Sequence, residues 1–336
     1  MSDQLANNPE IFSSTGELGT SARPDGRLYH NATAFYDDPA AVESTFQELI
    51  GRSEAINAHI PAEEHISRVV FRGIVSNPTI QAMAANGLGA FLEVAMPVVE
   101  DDEEAGWLIY LAQNQPHRQP LHQVEHMVEA TSTYEPRQEA PVLPDGFNCS
   151  PEWSYHSTVK EEYQTQLADL WESTFGWNDE EIGHLAQRLA HEKAKAEPER
   201  SMWFSAISAG DMLMSAAMAE SLTLPGKDGP VDLVESTEWR TRRGFSNFGL
   251  MTRTLKALNA QIFHSLHTGS SEPPLVYAEC SFTTRADRAG HGAGFYIPER
   301  RYAAQIALQN VTVDDGVHPP GLRDFIVMRA PTPERA

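Results

Sequence analysis

Residues 234–251 read VESTEWRTRRGFSNFGLM. An alternating apolar lead-in, VDLVESTEW, runs into the basic pair Arg242–Arg243, then into the small-residue turn GFSNFG and the start of a helical pattern. A strand, a turn with basic neighbours and a helix start, in that order, form an arrangement that holds a phosphate. The first turn of a helix offers unpaired N–H donors and about half a positive charge. Small residues let the backbone approach its ligand closely.

Such a site needs justifying in this chain. Its net charge is −22, from 47 acidic against 25 basic residues. Lysine occurs only at 160, 193, 195, 227 and 256; the other bases are arginine. An acid-rich, lysine-poor surface suits a salt-filled cytoplasm, where screening removes the self-repulsion. The composition fits a halophilic source or an ordinary acidic protein. In either case the field opposes wrapping a nucleic-acid backbone, which needs a basic footprint. An anion site must then rest on backbone amides, helped by Arg242 and Arg243.

The 336 residues suggest two domains or one large one. No apolar run approaches the roughly 18 residues of a membrane span. The N-terminal stretch has neither the basic nor the apolar region of a secretory signal. The expectation is a soluble, cytoplasmic protein with no membrane and no nucleic-acid partner. The two cysteines, Cys149 and Cys280, fit a reducing compartment and oppose a thiolate zinc site.

Residues 1–26 are polar and aperiodic and read as a flexible arm. Residues 27–150 read as an N-terminal α/β domain. In it, 27–36 is predicted as a strand, 37–56 as a helix capped by Asp, 66–75 as a strand and 77–87 as a short helix ended by Gly87. Strands at 88–99 and 106–114 flank an acidic turn, and QPLHQVEHMVEAT reads as a helix. The proline-rich stretch 136–153 is the predicted linker. Residues 151–336 form the second predicted domain. A strand at 155–159 precedes two amphipathic helices, with Tyr163, Leu167, Leu170 and Trp171 on one face of the first. A hairpin about Gly210–Asp211, the strand VDLVESTEW, a long helix, the strand PLVYAECSFT, a short Gly-broken helix at ADRAGHGAGF and two closing strands follow.

This order resembles the GNAT acetyltransferase fold: an α/β (α+β) domain with a mixed central sheet flanked by helices. The quoted stretch falls where that family carries its acyl-CoA loop, a strand leading into R/Q-x-x-G-x-G/A at the start of a long helix. A closer resemblance is to the beta-lysine N-acetyltransferase family. Its E-x-T-[DE]-[FW]-x-T strand is matched by Glu235, Thr237, Glu238, Trp239 and Thr241. Its G-x-G-L turn is matched by Asn247, Phe248, Gly249 and Leu250. Asn247 replaces the first glycine, and like glycine it tolerates positive φ; Ser246 replaces the usual Arg. AGHGAGF, with Gly294 and Phe295, and LRDFIVMR resemble the family's closing segments.

The resemblance implies acetyl-CoA as co-substrate, with no metal, and a small amine acceptor such as beta-lysine or a related amino acid. It implies a cofactor-binding set of Trp239, Arg240, Thr241, Arg242, Arg243, Gly244, Ser246, Asn247, Phe248, Gly249 and Leu250, joined by Asp287 and Arg288. Acetyl transfer needs the amine to lose a proton, the thioester oxygen to be held and the thiolate to be accommodated. Glu235 and Glu238 are the candidate bases. They stand three apart, so an unbroken strand points them to opposite faces, unless a bulge intervenes. Glu279 reads either as a ligand for the substrate ammonium or as the partner of an arginine. Tyr296 and Ser281 are candidates for protonating the thiolate. Asp287 and Arg288 touch the CoA or are surface charge. By fold-level analogy the protein is a homodimer, with the apolar pair of strands at 303–328 as interface, and the N-terminal domain shapes the substrate side.

Two further patterns carry blander readings. HQVEH (122–126) has the H-x-x-E-H spelling of a zinc site, but it is read here as an exposed helix face and not as a metal site. HSLH (264–267) places histidines at a helix C-terminus, where the dipole favours them. A reading from a different class also stands: a GNAT fold that has lost catalysis and only binds acyl-CoA or a partner, favoured by the altered SNFG turn.

Overall fold

The computed structural model describes residues 20–23, 27–62, 65–100, 102–114, 153–175, 177–195, 200–266, 274–281, 286–299, 301–308 and 323–331. The linker up to residue 152, the HQVEH segment and Cys149 lie outside them, as do the side chains of Asn247 and Ser281. The chain divides into two compact units. One comprises Met1–Val124, Thr223–Val231 and Pro298–Gln309; the other comprises Glu125–Leu222, Asp232–Ile297 and Asn310–Ala336. The boundary is thus crossed several times, where the sequence suggested one crossing near 150.

The first unit carries strands β1 (Thr20–Arg23), β2 (Arg27–Asn31), β3 (Arg68–Val75), β4 (Leu92–Val99), β5 (Asp102–Asn114) and β11 (Ala303–Leu308). They lie in the order β1-β2-β3-β5-β4-β11. β2 and β3 run parallel and the other neighbours antiparallel. Helices α1 (Pro39–Asn57) and α2 (Asn77–Ala85) bury Val42, Phe46, Ile80 and Met83 against Phe71, Trp107 and Ile109 of the sheet. Both helix starts follow ordinary capping chemistry. Asp38 accepts from the Ala40 amide at 3.0 Å and Ser76 from that of Thr79 at 3.3 Å, each with a proline in the first turn.

Four local expectations are corrected here. Thr20–Arg23, assigned to the loose arm, pairs with β2 as a strand. Gly87 does not end α2: the helix stops at Ala85, and Asn86, in extended conformation, caps a 3₁₀ turn at Gly87–Phe91 by accepting from Leu88 N at 2.8 Å. Gly89 permits that turn, because a Cβ there would meet Ala84 O at 2.8 Å. Consequently β4 begins at Leu92 rather than at 88. The acidic turn is also shorter than expected, since Asp102 already pairs with Val99.

The second unit carries β6 (Trp153–His156), β7 (Met202–Ala209), β10 (Leu275–Ser281), β12 (Arg323–Arg329) and, apart from residues 223–231, β8 (Met212–Gly226) and β9 (Gly229–Thr241). Their order is β12-β10-β9-β8-β7-β6, with β9 and β10 parallel. Helices α3 (Gln164–Phe175) and α4 (Asp179–Ala194) cover one face. There Leu167, Trp171, Ile182 and Leu189 meet Met202, Phe204, Ala216 and Met218. Helices α5 (Leu250–Leu266) and α6 (Ala286–Gly292) belong to the other face. There Leu255, Leu258 and Ile262 pack with Trp203, Val234, Val276, Ala278 and Met328.

Local chemistry fixes these pieces. Asn178 and Glu181 form a reciprocal capping box at the start of α4. At its end, burial pushes the Glu192 carboxyl up, but donors from Lys195 and Ser201 outweigh this and hold its pKa at about 2. Gly210, with φ 58°, makes the turn between β7 and β8. Trp203 Nε1 donates to Ser265 Oγ at 2.6 Å, tying β7 to α5.

Candidate active site

The face alternation of β9 decides where its acids point. Val234 packs on the α5–α6 side together with Val276, Ala278 and Cys280 of β10. Registered parallel partners share a face, so the pairs Leu233–Leu275 and Glu235–Tyr277 lie on the opposite side. Tyr277 Oη donates to Glu235 Oε2 at 3.3 Å, in agreement with that placement.

The alternation then breaks. Ser236 belongs to the α5–α6 side by parity, and Trp239 Nε1 donates to its Oγ at 3.0 Å. The Trp239 indole packs edge-on against Phe295, with ring centroids 5.5 Å apart. A Cβ on Gly290 of α6 would stand 3.2 Å from the indole, so a side chain there would make the indole give by a few tenths of an ångström. Thr241 reaches Ser215 Oγ at 3.2 Å, and Ser215 accepts from Thr254 of α5 at 3.0 Å. Residues 236, 239 and 241 thus share one face, which a regular strand forbids. The break lies at Glu238, whose φ is +56°, a left-handed conformation that costs a non-glycine residue about 1 kcal/mol or more. Past it, alternation puts Arg240 on the face of Glu235.

The same kink coincides with the end of a ladder. β9 and β10 pair from Leu233–Leu275 to Ser236–Ala278. β10 nevertheless continues to Ser281, paired with β12, and β9 continues to Thr241. The two parallel strands therefore part company at Ser236, and the backbone of β9 beyond it leaves the β10 ladder.

The turn after β9 is pinned from beneath. Arg242 donates its amide to Met214 O at 2.7 Å and its Nε to Leu213 O at 2.8 Å, and its Nη2 lies 3.3 Å from Gln166 Oε1. Its guanidinium holds the turn to β8 and α3, whereas Arg243 is exposed. Phe245 is buried with Ile207, Met214 and Leu250, and Phe248 packs beside it with ring centroids 5.6 Å apart. The 3₁₀ turn Ser246–Phe248 spends the Phe248 amide on Phe245 O at 3.2 Å. Gly249 follows in the left-handed region at φ 65°, and Arg253 N returns to its carbonyl at 3.1 Å. The amides that precede the intrahelical ladder of α5 are thus those of Leu250, Met251 and Thr252. A donor set expected around Phe248 starts one or two residues later. Gly244 and Ser246 are exposed along the way.

On β10, Glu279 is half-buried opposite Val327, on the face of Tyr277. Ser281 faces Phe325 in the ladder. Tyr296 is half-buried, and its backbone exchanges hydrogen bonds of 2.8 and 2.7 Å with that of Arg329. Arg288 is exposed, whereas Asp287 is fully buried at the start of α6 and not on the surface. Cys280 is buried as well; burial, then the charges of Asp287 and Glu279, push its thiol well above the usual range. Tyr277 was not singled out by the sequence, because a strand tyrosine reads as core until register puts it beside an acid.

Among the described residues no group of three or more His, Cys, Asp and Glu is placed to hold a metal, and no helix is long and apolar enough to cross a membrane. A shallow depression lined by His156, Lys160, Tyr163 and Phe204 includes none of the candidate site residues.

No family model matches the chain, and no curated protein does. Among solved structures, a protein described as a GNAT-family acetyltransferase from Desulfovibrio desulfuricans is 16% identical, over 53% of this chain and 98% of its own, with a TM-score of 0.33. NAA60 from Arabidopsis thaliana, solved with acetyl-CoA, is 11% identical over 53% and 97%, with a TM-score of 0.35. An N-acetyltransferase from Staphylococcus aureus Mu50 is 9% identical over 53% and 97%, with a TM-score of 0.31. Likeness at this level does not by itself say what the present chain binds.

Proposed function

We propose that the second unit is a GNAT-type acyltransferase, which takes acetyl-CoA and moves its acetyl group to the nitrogen of a small amine. The observation that carries this reading is the parting of β9 and β10 at Ser236, directly before the turn into α5. A wedge between parallel strands releases β9 backbone groups at its mouth. The helix start behind it adds amide donors and dipole for a diphosphate. These donors are main-chain groups, so the surrounding negative charge does not abolish them.

In this reading the diphosphate lies against Gly249, Leu250 and the amides of Met251 and Thr252. Gly244, Ser246, Asn247 and Phe248 form the rim. Trp239, Thr241 and Arg242 build the floor through their contacts with α6, Ser215 and Leu213. Arg240, Arg243 and Arg288 supply local positive charge, and Asp287 shapes the start of α6 from within. A β9 amide beyond Glu238 holds the thioester oxygen as it gains charge. Glu235 takes the proton of the ammonium, with Glu238 as the alternative base. The amine nitrogen bonds to the carbonyl carbon, the carbon–sulfur bond breaks, and Tyr296 or Ser281 gives a proton to the departing thiolate; the second proton that the nitrogen sheds as the amide forms replaces it, and Glu235 returns its own to water. Glu279 receives a second positive charge of the acceptor. Beta-lysine or a related amino acid is the acceptor to try first, and a homodimer in a reducing cytoplasm is the setting.

A second reading, binding of acyl-CoA without turnover, is favoured by Asn247 and Ser246 standing where the related turn has glycine and arginine. One experiment separates the two. Acetyl-CoA is expected to raise the melting temperature, and amines supplied with it are expected to release free CoA thiol. A melting shift with no thiol from any amine establishes the second reading. No shift and no thiol overturns both.

A further inference from the structure

Four residues on successive elements form one row across the sheet face opposite α5 and α6. Register aligns Glu235 of β9 with Tyr277 of β10, and Tyr277 with Arg329 of β12. The bridge between Arg329 and Tyr296 extends the row by one. Parity agrees at every step. Val234, Val276, Ala278, Met328, Ala330, Phe295 and Ile297 all pack with α5 and α6, so their sequence neighbours 235, 277, 329 and 296 face the other way.

Within the row Tyr277 is fully buried and Arg329 is 4% exposed, while Glu235 is only half-buried. A buried phenol needs a hydrogen-bond partner, and the Tyr277 hydroxyl lies 3.3 Å from Glu235 Oε2. A buried donor thus holds one oxygen of a half-buried carboxylate, one residue before the strands part. A base held by a third group in this way is the usual arrangement around an activated amine or hydroxyl.

We propose that Tyr277 is a positioning residue for the acetyl transfer: its phenol fixes the Glu235 carboxylate in the orientation that accepts the amine proton. This rests on the reading of the second unit as an N-acetyltransferase with Glu235 as base. Tyr277 itself stays beneath the sheet surface and meets neither the amine nor the thioester. Among the described residues, the charged or titratable groups on this face include Glu279 on β10, Arg329 on β12, Tyr296, Arg240 further along β9, His156 of β6, which pairs with Ala206, and Glu220 on β8, which lies 3.7 Å from Arg188 of α4. All of them remain in place when only the phenol oxygen is removed.

The test is Tyr277→Phe, which deletes that oxygen and keeps the ring that fills the site. Turnover is expected to fall about tenfold in kcat with KM changed less than about twofold, since an orientation is lost and not a binding contact. A second readout needs no turnover. The carboxylate infrared band that Glu235→Gln removes is expected to change frequency in Tyr277→Phe, because the carboxylate loses the phenol's hydrogen bond. If that band moves and no amine is acetylated by the unaltered protein, the acetyltransferase reading fails and the Tyr277–Glu235 coupling stands. A folded Tyr277→Phe with an unmoved band overturns the proposal, as does a fall in kcat that tracks only a lowered melting temperature.

Discussion

Glu235→Gln is expected to lower the rate of amine acetylation by about 10²–10⁴-fold, the usual contribution of a positioned general base. The change keeps size and hydrogen-bonding capacity and removes only the ability to take a proton. Binding of acetyl-CoA is therefore expected to stay within about twofold, and the loss to appear in kcat. Glu238→Gln is expected to cost less than about tenfold. Glu238 sits at the left-handed kink, φ +56°, just past the last β9–β10 pair; glutamine adopts that conformation as readily as glutamate. Steady-state rates of the two variants at several pH values check the assignment. The reverse order, with Glu238→Gln crippled and Glu235→Gln near normal, assigns the base to Glu238. Near-normal rates for both reject a carboxylate base on β9.

Gly249→Val is expected to weaken acetyl-CoA binding by tenfold or more, about 1.4 kcal/mol. Two effects add. A β-branched residue at φ 65° is strained by roughly 1–2 kcal/mol, which disturbs the first turn of α5. A Cβ at Gly249 meets no protein atom within 4 Å, so the new side chain occupies open space in front of the helix start, where the diphosphate is placed. Gly244→Val is the matched control. Gly244 has φ 85° and is equally open, so the backbone cost is similar, but it stands before the 3₁₀ turn and away from the α5 amides. Melting temperatures are expected to fall by comparable amounts in both variants, and acetyl-CoA affinity mainly in Gly249→Val. Equal losses of affinity reduce the effect to stability alone.

Much of the second unit is legible in the sequence, because its elements are set by local rules. The repeat Leu255, Leu258, Ile262 marks one buried stripe of α5, Gly210 marks the β7–β8 turn, and the order strand, turn, helix around residues 234–251 appears where periodicity puts it. Local competition hides other boundaries. Asn86 and Gly87 each can stop a helix, and the close approach of Gly89 to Ala84 decides between them. Thr20–Arg23 has little periodicity of its own and is a strand only because β2 is beside it.

The candidate site was legible as a stretch but not as a geometry. Glu235 and Glu238 stood out as acids three residues apart, yet nothing local announces a left-handed glutamate. Its trace is the contact of Trp239 with Ser236, which needs the folded strand to exist. Tyr277 lies 42 residues from Glu235, and only the parallel register joins them. Arg242 shows the opposite case: its position suggested a ligand for an anion, but tertiary contacts with Leu213 and Gln166 claim its guanidinium.

Backbone amide exchange with and without acetyl-CoA tests the central claim most directly, because that claim concerns main-chain donors. Peptides covering residues 237–252 are expected to exchange more slowly when acetyl-CoA is bound, with the largest change over 249–252. Unchanged exchange across 237–252 at a saturating concentration, or protection confined to another part of the chain, contradicts it.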